Sequence, residues 1–176
     1  MKKILLHICC APCLCYSHQA LQENDLDITG FWCNPNIHPL TEYNKRLDAL
    51  HAYQTITKLD IIYDKDHNIN AWLTRTKKGW PLKDKKKRCL LCYKIRLEKA
   101  ACMAQDKGFD LFTTTLLYSK YQFHDEIKTM CEDLSKRYRI GFLYKDFRKG
   151  WKEGIEISKK MNLYRQRYCG CIFSMR

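Results

Sequence analysis

Ile4-Leu5-Leu6-His7-Ile8-Cys9-Cys10-Ala11-Pro12-Cys13-Leu14-Cys15 decides how this chain is read. Residues 4–8 form a short, mostly apolar run that suits a strand buried on both faces of a parallel sheet. A helical segment is expected from about Ser17, which places four thiols in the loop between a first strand and a first helix. In open α/β folds that loop lies at the carboxyl edge of the sheet, where ligands bind. Adjacent cysteines such as Cys9 and Cys10 rarely bond to each other, because the ring is strained away from normal disulfide geometry. Neighbouring thiolates with a third at Cys13 suit a soft metal or an iron–sulfur cluster. Pro12 also removes a backbone donor, which argues against a phosphate cradle and ATP use at this loop.

Outward from this stretch, strands and helices alternate about five times. Residues 28–33, 60–63, 109–117 and 141–144 read as further strands. Helices are expected from Thr41 toward Lys58, from Cys89 to Lys107 with Gly108 as the stop, after Ser119, and over 153–163. Ser119 and Gln122 have capping-box spacing. The alternation predicts an α/β fold: an open parallel sheet of about five strands, helices on both faces, and a cysteine-rich site at its carboxyl edge. One catalytic domain, 1–176, is expected, with a basic insertion at about 64–88.

The 176 residues suffice for a sizeable core, and 45% are hydrophobic, which excludes a disordered chain. Lys and Arg number 32 against 19 acids, a net charge of +13 that points to a polyanionic partner. Eleven cysteines cannot pair completely within one chain. The apolar start is broken by His7 and is too short for a leader, and no stretch reaches membrane-span length. A reduced, cytoplasmic protein without a membrane partner is expected, its thiols serving metal or redox chemistry.

Three cysteine groups stand apart: Cys9/Cys10/Cys13/Cys15, Cys89/Cys92 and Cys169/Cys171. Cys-x-x-Cys at a helix start lets two thiolates face one ion where the helix dipole favours them. With Cys9 and Cys10 it makes four thiolates, enough for a [4Fe–4S] cluster or for a structural zinc, and spacing alone leaves both open. Cys169-Gly170-Cys171 would close a small, readily reduced ring and suits a redox-active pair, although two further metal ligands fit as well. Cys102 and Cys131 read as core residues, Cys33 leans toward packing, and His7 has either a structural or a catalytic reading. From Arg75 to Arg88 the chain carries eight basic residues and one acid. Lys77, Lys78, Lys85, Lys86, Lys87 and Arg88, with Trp80 among them, look like a grip on a nucleic-acid backbone. Tyr164, Arg165, Arg167 and Tyr168 are candidates to flank a nucleobase.

Several segments taken together resemble one known family. They are Leu5-Leu6-His7-x-Cys9-Cys10-Ala11-Pro12-Cys13, Asn34-Pro35-Asn36-Ile37-His38-Pro39 with Glu42-Tyr43, and Arg88-Cys89-x-x-Cys92-Tyr93-x-x-Arg96-Leu97. Phe112-Thr113-Thr114-Thr115-Leu116-x-x-Ser119 and Tyr164-Arg165-Gln166-x-Tyr168-Cys169-Gly170-Cys171 complete the set. The chain resembles the cobalamin-independent epoxyqueuosine reductases, the QueH family, through nearly its whole length. The resemblance implies a Rossmann-like (HUP-like) domain that reduces the epoxide of epoxyqueuosine, at the wobble position of certain tRNAs, to queuosine. It implies a [4Fe–4S] cluster on Cys9, Cys10, Cys89 and Cys92, a redox-active pair at Cys169 and Cys171, and an additional iron to which Cys13 could contribute. The partners would be tRNA and an unidentified electron donor. Two rival readings come from other classes. A zinc-stabilised RNA-binding module explains the charge but not Cys-Gly-Cys. A dithiol oxidoreductase acting on proteins explains the thiols but not the basic segment.

Overall fold

β1 (Lys2–Ile8) is the central strand of a five-stranded, all-parallel sheet and is buried from Ile4 onward. β2 (Leu26–Trp32) and β4 (Leu111–Thr114) flank it, and β3 (Asp60–Tyr63) and β5 (Gly141–Phe142) form the edges. The order is β3-β2-β1-β4-β5, with Ile8 opposite Trp32 and His7 opposite Thr114. This is a computed structural model, and it describes residues 1–64, 68–77 and 84–175.

Among the described residues there are six α-helices: α1 (Ala11–Gln22), α2 (Leu40–Thr57), α3 (Ile69–Lys77), α4 (Lys85–Asp106) and α5 (His124–Tyr138) between strands, and α6 (Trp151–Lys160) after β5. α1 packs against α2 and α6, while α4 packs against α5. Right-handed crossovers put these two groups on opposite faces of the sheet. The strand order grows in one direction from β1 to β3 and in the other from β4 to β5. The reversal creates a crevice between the carboxyl ends of β1 and β4, where ligands of open α/β sheets bind. Among the described residues no helix is long and apolar enough to cross a membrane.

The expected α/β class and five-stranded parallel sheet are both present, but several boundaries differ. α1 begins at Ala11 rather than near Ser17, with Pro12 in its first turn, where a missing N–H costs nothing. Cys13 and Cys15 therefore lie on the helix, and only Cys9 and Cys10 occupy the loop. α4 begins at Lys85, capped by the Asp84 carboxylate, which accepts from Lys87 N at 3.1 Å. Cys89 and Cys92 thus fall beyond its first turn, not at its start. β4 ends at Thr114, and residues Thr115–Tyr118 leave the sheet as a 3-10 turn. The capping box at Ser119 does not form. α5 starts at His124, and the Gln122 side chain instead accepts from the Tyr93 hydroxyl at 2.6 Å.

Candidate metal and thiol site

Cys9 leaves β1 at the crevice, and Thr115 at the neighbouring strand end fixes its position. The Cys9 backbone N–H donates to Thr115 Oγ1 at 2.9 Å, and that hydroxyl donates to Cys9 Sγ at 3.1 Å. The exit of Thr115 from β4 is what brings the hydroxyl across. Beneath it, buried His7 is held between Thr114 Oγ1 at 2.8 Å and the Cys33 carbonyl at 3.2 Å. Burial, with the Arg96 charge, pushes the imidazole down to about 3, which favours its neutral form.

The Sγ atoms of Cys9, Cys10 and Cys13 all lie within 4.8 Å of one another, and Cys9 Sγ is 3.9 Å from Cys10 Sγ. Hydrogen bonds from the Cys10 and Cys13 thiols hold Cys9 well below the ordinary thiol range, and Arg96 and Thr115 act in the same direction. Burial raises Cys10, while Cys13 is raised first by its hydrogen bonding to Cys10 and Cys9. One thiolate is thus stabilised by two thiols beside it. Gln166 Nε2 donates to Cys10 Sγ at 2.8 Å and ties the C-terminal segment to this group.

The second group faces the crevice from α4. Cys92 is buried, and burial pushes it up to about 12; Cys89 is half-buried and raised for the same reason. Cys89 and Cys92 stand outside the tight trio but feel the charge of Cys169, and Cys92 also that of Cys171. Cys169 is exposed, with Gln122 Nε2 at 3.9 Å from its sulfur; Cys171 is half-buried and raised by burial to about 11. All eleven cysteines are unpaired as thiols. Cys15, Cys33 and Cys131 are buried and fill the core, with Cys33 donating to Asp64 Oδ2 at 3.2 Å. Cys102 is half-buried on α4 beside Asp106, away from the thiol groups.

Arg96 joins the two groups. Its side chain is 3% exposed, Nη1 approaches Cys92 Sγ at 3.9 Å, and Nη2 donates to Asn34 Oδ1 at 2.6 Å. Nε has no hydrogen-bond partner, and among the described residues no carboxylate lies within ion-pair distance. Burial opposes the charge, but the sulfurs of Cys92, Cys9 and Cys169 outweigh it and keep the guanidinium ionised. A buried cation without a carboxylate needs negative charge from elsewhere. Thiolates committed to a metal provide that charge, so the donor set fits a thiolate-bound metal group. Arg96, Asn34, Thr115 and Gln166 all lie within the quoted motifs, yet nothing in their spacing assigned them these contacts.

The C-terminal segment is clamped by α2. Arg46 donates to the carbonyls of Cys169 (3.1 Å) and Tyr168 (2.9 Å) and pairs with Glu42 at 2.7 Å. His38 N donates to the Gly170 carbonyl at 2.8 Å. Tyr164 is bonded to Glu42, and Tyr168 donates to the His38 carbonyl while its ring lies under Arg46. The hydroxyls of these two tyrosines are committed to holding the tail, and one face of Tyr168 is covered by Arg46; Arg165 and Arg167 are exposed.

Of the proposed backbone grip, Lys85, Lys86 and Lys87 are exposed on the first turn of α4. Lys86 pairs with Glu126, and Arg88 lies over the Phe173 ring. Lys77 ends α3, and its side chain, like Lys78 and Trp80, lies outside the described residues.

Comparison with known proteins shows the family. The sequence profile of the family described as "Epoxyqueuosine reductase QueH" matches residues 4–176. A protein named epoxyqueuosine reductase QueH from Thermotoga maritima is 35% identical over 179 residues, covering 99% of this chain and 91% of that one. The protein of that name from Dehalococcoides mccartyi is 33% identical over 172 residues, covering 98% and 92%. The one from Haemophilus influenzae is 35% identical over 180 residues, covering 99% and 72%. The chain belongs to the epoxyqueuosine reductase QueH family.

Proposed function

We propose that this protein is an oxidoreductase that converts epoxyqueuosine in tRNA to queuosine, the last step of queuosine formation. The observation that carries the reading is the convergence of thiols around Arg96. Cys9, with Cys10 and Cys13 beside it, and Cys92 and Cys169 from the other side all act on one buried cation that no carboxylate among the described residues neutralises.

In this reading Cys9, Cys10, Cys89 and Cys92 hold a [4Fe–4S] cluster, and Cys13 is the thiol available to an additional iron. Such a group, when bound, supplies one-electron transfer and a Lewis acid for an epoxide oxygen. Arg96 balances the thiolate charge, and Thr115 and Gln166 orient Cys9 and Cys10. Removing the epoxide oxygen breaks two C–O bonds, forms one C=C bond and releases water. It consumes two electrons and two protons. Oxidation of the Cys169/Cys171 dithiol to a disulfide yields that number of each. Cys169, exposed at the mouth, can meet an external reductant that restores the pair. The net charge of +13, with Lys85–Lys87 projecting beside the cleft, suits a tRNA substrate.

The test is anaerobic purification with iron, sulfide and zinc analysis, followed by incubation with epoxyqueuosine-containing tRNA and a reductant. About four irons and four sulfides per chain, the cubane stoichiometry, with queuosine formed, supports the proposal. A colourless protein holding about one zinc on four thiolates overturns it in favour of a zinc-stabilised RNA-binding module.

A further inference from the structure

An aromatic cluster stands beside the thiol cleft and is not used by the chemistry above. Tyr118, at the end of the 3-10 turn after β4, is buried, and its hydroxyl donates to the Trp151 carbonyl at 2.9 Å. Its ring lies 6.4 Å from that of Tyr16 on α1, the helix that carries Cys13. Trp151, the first residue of α6, stacks on Tyr118 with ring centroids 5.1 Å apart and 26° between planes. Tyr121 meets the edge of Trp151 at 5.8 Å and 77°, and Lys120 Nζ lies 5.6 Å from the Trp151 ring centroid.

Tyr121 is 80% exposed, more than any other large hydrophobic side chain among the described residues. The next residue, Gln122, reaches Cys169 Sγ. Tyr121 thus leaves most of its ring in water, next in sequence to a residue that reaches the reactive tail. Its position is set by a short turn in which Tyr121 N donates to Ser119 Oγ at 3.3 Å and Gln122 N to the Ser119 carbonyl at 3.4 Å. Lys120 precedes Tyr121, Lys149 and Lys152 flank Trp151 in the chain, and all three are exposed. An aromatic face edged by cations is the chemistry that receives a nucleobase and its phosphates.

We propose that Tyr121, buttressed by Trp151 and flanked by Lys120, stacks a nucleobase of the RNA substrate adjacent to the one that enters the thiol cleft. This rests on the tRNA reading above. Tyr121 is a positioning residue: it fixes the loop so that the modified base alone reaches the sulfurs. The side chains that sequence alone suggests for stacking, Tyr164 and Tyr168, are half-buried with their hydroxyls bonded to Glu42 and the His38 carbonyl, whereas Tyr121 is 80% exposed.

The test uses the full chain, purified anaerobically, and a labelled anticodon stem–loop RNA in a fluorescence anisotropy titration. Tyr121→Ala should raise Kd about tenfold, the scale of removing one base–aromatic stack, with the salt slope, iron and sulfide unchanged. Tyr121→Trp should restore binding, and Lys120→Ala should lower the salt slope instead. A 2-aminopurine placed beside the target base should be quenched by the wild-type protein and not by Tyr121→Ala. Wild-type affinity and quenching in Tyr121→Ala, or a weakening that Tyr121→Trp does not restore, overturns the platform and leaves the tRNA reading standing. No RNA binding by the wild-type protein overturns both.

Discussion

Arg96 Nη2 donates to Asn34 Oδ1 at 2.6 Å, and Asn34 Nδ2 in turn donates to the Ile8 carbonyl at 2.8 Å. The loop after β2 thereby braces the end of β1 and aims a buried guanidinium from α4 at the thiols. Replacing Arg96 with Gln should cost about 3 kcal/mol, the scale for breaking a buried charge arrangement. It should also lower iron retention, because the thiolates are then without their compensating charge. Urea denaturation and iron per chain check this. Full iron retention with unchanged stability would show that Arg96 does not balance the thiolates.

Gly170 lies at φ +101°, and a Cβ there would sit 2.9 Å from Arg46 Nη1 and 3.1 Å from Ile37 Cγ1. Both neighbours are buried, and the Arg46 guanidinium is held by Glu42 and by the carbonyls of Tyr168 and Cys169. Gly170→Ala should displace the Cys169/Cys171 tail at a cost of about 1–3 kcal/mol. Faster alkylation of Cys171, half-buried in the wild-type protein, reports the displacement. Alkylation at the wild-type rate would mean the clamp tolerates the methyl group.

Cys171→Ser removes one thiol of the proposed pair but leaves Cys9, Cys10, Cys89 and Cys92 intact. Iron and sulfide content should stay at the wild-type level while multiple-turnover reduction of epoxyqueuosine tRNA is abolished. Retention of full multiple turnover would eliminate the dithiol role.

Lys85, Lys86 and Lys87 project from the first turn of α4, and among the described residues only the solvent-accessible Lys86–Glu126 ion pair takes one of them to another helix. Exposed pairs contribute at most about 1 kcal/mol, so replacing all three lysines with Glu should leave the fold intact. KM for tRNA should rise by roughly tenfold or more. The salt dependence of binding should flatten by about 0.7–0.9 for each phosphate that is no longer neutralised. Unchanged KM would place the tRNA elsewhere on the surface.

Asp146 accepts from Arg148 Nε at 2.8 Å and Nη2 at 2.7 Å, and this bidentate bond holds its carboxyl down to about 2 from the usual 3.8. Because the folded value is the lower one, the stabilisation is present above about pH 4 and is lost as pH falls through about 2. Asp146→Asn should therefore lower the urea midpoint at about pH 6, with the gap to wild type narrowing by about pH 2.5. A gap independent of pH would assign the destabilisation to packing instead.

The parallel sheet is legible in the chain because buried β1 carries a nearly unbroken apolar run, and because apolar runs of strand length alternate with helical periodicity. The thiol groups are legible as chemistry, since soft donors at close spacing have few other uses. Other features depend on contacts between residues far apart in the chain. Arg96 meets Asn34 only because α4 packs beside the loop after β2, two segments far apart in the chain. Thr115 reaches Cys9 only because β4 ends early and turns out of the sheet. Tyr168 reads in the sequence as a candidate to flank a nucleobase, but its hydroxyl is bonded to the His38 carbonyl and one ring face meets Arg46, both remote in the chain. Local pattern determined the strands, the helices and the kinds of donor atoms. Tertiary packing alone decided which buried charge faces which sulfur and which aromatic ring is left open, because those outcomes follow from desolvation and pairing between distant segments.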